Sequence, residues 1–113
     1  MKLFALLAAV FCVAQANAAQ PDFICQDENG MKYEFYMSSY SEIQIYDQNG
    51  NFDNMIDGIY FQTLSLESFP PVDQHSVYDG ETDELLGSVS FRGNNAKGAG
   101  NLEGYSNQLT CTR

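Results

Sequence analysis

His75 is the only histidine in the chain, with Ser76 beside it and Asp73 and Asp79 close by, so the residue types of a serine-hydrolase triad occur together. Such a triad needs an imidazole bridging a hydroxyl and a carboxylate in space, and adjacent residues on a strand point to opposite faces. A lone histidine next to Pro70-Pro71 reads instead as a solvated surface residue. Asp47, Asn49, Asn51 and Asp53 have the alternate oxygen spacing that opens an EF-hand loop. The sixth position is Phe52 where a glycine must turn, and the twelfth is Gly58 where a bidentate glutamate must sit, so a hairpin tipped by Asn49-Gly50 is expected. Gly98 and Gly100 follow Lys97, but no helix follows them to complete a phosphate cradle. Residues 93–104 therefore read as a mobile loop, with Asn94, Asn95, Lys97, Gly98 and Gly100 as a candidate flexible contact loop.

Carboxylate pairs are frequent, as expected of a chain with 15 Asp and Glu, so no pair singles itself out as a glycosidase couple. Asp79, Glu81, Asp83 and Glu84 form the densest acidic run and the candidate patch for a cationic partner. Cys25 and Cys111 are the natural disulfide pair. With them joined, one histidine cannot assemble a zinc site, and no metal or cofactor is expected.

Residues 1–18 read as a secretory leader. Lys2 precedes an uncharged apolar run from Leu3 to Ala14, and Ala16-Asn17-Ala18 supplies the small-x-small cleavage pattern. The run is shorter than the roughly 20 residues of a membrane span. Cys12 follows the bulky Phe11 rather than a small residue, which argues against lipidation. Cleavage near Ala18 predicts an exported protein, periplasmic or extracellular, with a single domain over residues 19–113. Loss of Lys2 then takes the formal charge from −10 to −11 and leaves two cysteines, an even count suited to an oxidising compartment. With Lys32, Arg92, Lys97 and Arg113 as its only and scattered cations, the domain is not expected to bind nucleic acid or anionic membranes.

The elements that must position these residues are strands. Phe23 and Cys25 share a face, Asn29-Gly30 signals a hairpin, and Met31, Tyr33, Phe35 and Met37 alternate with polar neighbours. Ile43 and Ile45 mark a third strand, Asp57-Gly58 another turn, and Ile59 to Leu66 the longest strand, whose inward face the pattern leaves open. Residues 68–74 read as a loop around the prolines, Ser76 to Tyr78 as a brief strand, and Leu85 to Arg92 as a firm one. Tyr105 to Thr112 closes the chain, with Leu109 and Cys111 on one face. Turn signals recur about every 8 to 12 residues, which predicts an all-β, small antiparallel barrel or sandwich of about seven to eight strands. The disulfide should join its first and last strands. Seven tyrosines and the phenylalanines suit cross-strand packing.

Phe23-x-Cys25 near the start and Leu109-x-Cys111 near the end, with acidic strands between, resemble the layout of small periplasmic barrels that inhibit c-type lysozyme. That resemblance implies an inhibitor-like binding protein. The Ser-Gly-x-x-Tyr loop of those inhibitors has no counterpart here, so no residue role carries over. The expected function is a small acidic binding or accessory protein without catalytic machinery, engaging a basic exported protein. A small-ligand carrier using the barrel interior is the alternative, and a hydrolytic enzyme the third reading. Oligomeric state is not legible in the sequence.

Overall fold

A computed structural model describes residues 19–113. The leader, Ala18 and Cys12 lie outside the described residues. Nine strands follow one another: β1 (Phe23–Gln26), β2 (Lys32–Tyr36), β3 (Glu42–Tyr46), β4 (Phe52–Ile56), β5 (Ile59–Leu66), β6 (Val72–Asp79), β7 (Leu85–Arg92), β8 (Lys97–Leu102) and β9 (Ser106–Thr112). They form one antiparallel sheet in the order β4-β3-β2-β1-β9-β8-β7-β6-β5. Cys25 lies directly opposite Cys111 in the β1–β9 ladder, and their sulfurs are bonded. The expected disulfide therefore does join the first and last strands.

The sheet nearly closes on itself through β4 and β5. These occupy opposite edges of the strand order, yet only Asp57 and Gly58 separate them. They do not pair with each other. β4 pairs with β3, β5 pairs with β6, and the Gly80 amide donates to Gly58 O at 2.8 Å, continuing the β5 ladder into the link. Asp57-Gly58, expected to reverse the chain, instead joins two halves of one run, with Gly58 at a φ of 65°. The opposed residues trace the closure. From Cys25 one path passes Tyr33 and Ile45 to Asn54, and the other passes Cys111, Gly98, Phe91 and Asp73 to Ser65. The two arrive eleven positions apart on the same run, a stagger that tilted strands in a barrel require.

Period-two patterning fills the interior. Phe35, Ile43, Ile45, Val77, Val89, Phe91, Leu102 and Leu109 are almost wholly buried. Rings meet across the barrel: Phe35 on β2 lies 6.2 Å from Phe61 on β5, and Phe23 on β1 lies 5.3 Å from Phe91 on β7. Ile59 and Phe61 thus settle which face of β5 turns inward.

Two expected loops are strands. Residues 97–102 form β8, paired on both sides, so only 93–96 and 103–104 of that stretch remain as turns. Glycine serves close approach there: a Cβ on Gly98 would collide with the Ser90 carbonyl, and one on Gly100 with that of Ser88. Polar composition resembled a loop, but these positions pack against neighbouring backbone. The proline loop likewise ends at Pro71, and β6 begins at Val72 because only the residues before it lack a donor for the ladder.

Candidate functional site: an acidic rim at one end of the barrel

The turns of the barrel fall at two ends. With β4 and β5 counted as one run, the β1–β2, β3–β4, β6–β7 and β8–β9 turns share one end. The β2–β3, β5–β6 and β7–β8 turns share the other.

The first end is built from one recurring piece of turn chemistry. Asp27 Oδ1 accepts the amides of Asn29 at 2.9 Å and Met31 at 3.0 Å, with Gly30 at a φ of 82°. Asp47 Oδ1 accepts the amides of Asn49 and Asn51, both at 2.9 Å, with Gly50 at a φ of 85°. Asp-x-Asn-Gly builds both hairpins because the carboxylate satisfies amides that the tight turn leaves without a partner. The oxygen spacing around Asp47 is that of a hairpin. In the β6–β7 turn Asp79 Oδ1 accepts from Glu81 N at 2.8 Å and Thr82 N at 3.0 Å, and these bonds hold its carboxyl below the usual carboxylate range. Asp83, at a φ of 61°, accepts the Tyr60 hydroxyl at 2.8 Å.

Asp79 ends β6 and the other three acids follow it in one turn, where Asp79 holds the backbone amides and Glu81, Asp83 and Glu84 are all exposed. The end as a whole is wider than that run. Asp27, Glu28, Asp47, Asp53, Asp79, Glu81, Asp83, Glu84 and Glu103 all lie in the four turns or beside them, nine of the chain's 15 acids. The turns hold no lysine or arginine. Lys32, the first residue of β2, is the nearby cation, and its Nζ is held 3.3 Å from Glu34 and 5.0 Å from the Tyr46 ring centre. Three apolar side chains stand exposed among the acids: Phe52 at 60%, Leu85 at 52% and Tyr105 at 44%. Tyr105 packs edge-on to Tyr33, whose hydroxyl donates to Asp27 Oδ2 at 2.9 Å. Burial first, then that bond, pushes the Tyr33 phenol well above its ordinary value.

The Asp79–Glu84 run, dense enough to stand out in the sequence, is one part of this rim, and the other carboxylates join it only in the fold. The signal was present as alternation, since in an up-and-down barrel every second turn shares an end. Taking Asp57-Gly58 for a reversal hid that grouping. The contact-loop residues Asn94, Asn95, Lys97, Gly98 and Gly100 lie in the β7–β8 turn and β8, away from this rim.

The opposite end gathers the other polar residues. His75 is half-buried and faces inward, 5.3 Å from the Phe23 ring and 6.0 Å from that of Phe91, with Nδ1 2.9 Å from Thr63 Oγ1. It is not the solvated surface residue expected beside the prolines, because strand pairing through Val72 turns it into the barrel. Ser76, its neighbour, points the other way. Asp73 accepts Ser65 Oγ at 3.0 Å and Arg113 Nη1 at 3.3 Å, and the Arg113 guanidinium also donates to the carbonyls of Gly93 and Asn95. Asp22 accepts the Met37 amide at 2.6 Å, the Ser38 amide at 3.1 Å and the Ser38 hydroxyl. These groups are spent on one another and on backbone, so the cluster fastens this end.

An external groove of about 490 Å³ runs over β1 and β9, lined by Ile24, Gln26, Thr110 and Thr112, the outward partners of the buried residues. Among the described residues no helix is long and apolar enough to cross a membrane. No family model, no curated protein and no solved structure matches this chain.

Proposed function

We propose that this chain is a non-catalytic binding protein whose acidic rim engages a cationic protein in an exported compartment. The segregation of nine carboxylates to one end, around exposed Phe52, Leu85 and Tyr105, carries the reading. Clustered charge of one sign steers an oppositely charged partner, and exposed aromatics supply the desolvated contacts that steering alone does not. The Cys25–Cys111 bond is compatible with an oxidising, exported setting. A packed interior favours this reading over a carrier, since the side chains that would line a ligand cavity occupy it.

Binding of the folded chain to a c-type lysozyme, itself a basic protein, is the first measurement. Affinity should fall at least tenfold as salt rises from about 50 to about 500 mM, where the screening length shrinks to a few ångströms. Glu81→Lys with Glu84→Lys should slow association, and Phe52→Ala should speed dissociation. If no basic exported protein binds, or if binding ignores both salt and these substitutions, the reading fails.

A further inference from the structure

β5 leaves one edge open at the end away from the acidic rim. Its ladder runs only to β6, and the residues from Gln62 to Leu66 are all exposed. Every second backbone N–H and C=O along that edge lacks a strand partner, and another extended strand is what satisfies such a row. Protected edges carry lysine, proline or a bulge. This one carries none: Ile59 to Leu66 has no charge, no glycine and no proline, and its pairing with β6 is continuous. Leu64 is 57% exposed and Leu66 44%. The edge of β4, by contrast, bears Asp53 and runs into the rim.

We propose that the open edge of β5 is where two copies of this chain pair, strand to strand and antiparallel, as a two-fold dimer. Charge permits a second copy as the occupant at this edge, and symmetry points to it. Identical surfaces of a chain with a formal charge of −10 repel wherever carboxylates face their own images, and the rim is such a surface. The uncharged β5 edge is not. An antiparallel pair of identical strands is also self-complementary, which a two-fold axis requires. The exposed stretch is centred on Leu64, so the axis places Leu64 opposite its own copy. Glu67 then falls opposite Phe61 rather than opposite another Glu67.

Sedimentation equilibrium of the full chain across a concentration series tests this. A concentration-dependent dimer is expected, with those amides between Gln62 and Leu66 that point away from β6 gaining protection from hydrogen exchange as it forms. Leu64→Lys alters an exposed side chain, so circular dichroism and the melting midpoint should match the parent while the mass falls to that of a monomer. Mixing Leu64→Lys with Leu64→Glu should restore dimer as a heterodimer. Glu84→Lys, at the other end, should leave dimerisation unchanged. A parent chain that stays monomeric at every concentration overturns the proposal. So does a folded Leu64→Lys variant that dimerises as well as the parent.

Discussion

His75 shows how much a single side chain depends on its neighbours. Burial among Phe23 and Phe91 lowers its pKa below the ordinary 6.5; Asp73 opposes that shift and Arg113 adds to it. The folded state therefore binds fewer protons than the unfolded chain. Stability from this group is full above about pH 6.5 and is lost as pH falls from there through the lower folded value. Urea midpoints should drop between about pH 7.5 and about pH 5.5, and His75→Phe should flatten that drop. Equal slopes in both proteins would refute the assignment. Asp22, Asp73 and Asp79 act in a separate window. Hydrogen bonds outweigh what burial opposes and depress all three, so their contribution fades only below the ordinary carboxylate value of 3.8. The turn aspartates were legible in sequence because Asp-x-Asn-Gly acts within five residues. The inward turn of His75 was not, since it follows from pairing with β5 and β7.

At the scale of elements, β8 and the β4–β5 run separate composition from conformation. Glycine-rich, asparagine-rich sequence reads as mobile when only local preference is weighed. In β8 the same glycines let a strand lie close against β7, where a Cβ on Gly100 would come within 2.7 Å of Val89 Cγ2 and 2.8 Å of its Cα. Gly100→Ala should destabilise the fold by about 1–3 kcal/mol, the usual cost of forcing extra volume into packed structure. Ala99→Ser, on the exposed side of the same strand, should stay within about 0.5 kcal/mol. Denaturant titration of both decides whether β8 is packed or loose. The Asp57-Gly58 link makes the converse point: turn residues mark where a chain bends, and the partners of the flanking strands decide whether it reverses.

For the whole molecule, closure rests on the β1–β9 seam, which brings together residues 86 positions apart. A crosslink at that separation removes much of the freedom of the unfolded chain. Replacing both Cys25 and Cys111 with alanine should cost about 2–5 kcal/mol, read as a lower denaturant midpoint. A midpoint unchanged by that replacement would show the seam to be stable without its sulfur bond. The barrel's charge is polarised as well. Carboxylates crowd one end, while Arg92, Lys97 and Arg113 lie toward the other, so the proposed partner surface and the proposed dimer edge do not compete.

The sequence by itself determined the strands with strong alternation, the hairpins at Asn29-Gly30 and Asn49-Gly50, the all-β class and the pairing of Cys25 with Cys111. Each follows from local patterning, or from there being only two cysteines outside the apolar N-terminal run. Only the tertiary structure decided that β4 and β5 are one run closing the barrel, that the glycine-rich stretch is a strand, and that nine carboxylates share one end. Those features depend on which strands become neighbours, and neighbours distant in the chain are chosen by side chains meeting in the interior, which no local window of sequence contains.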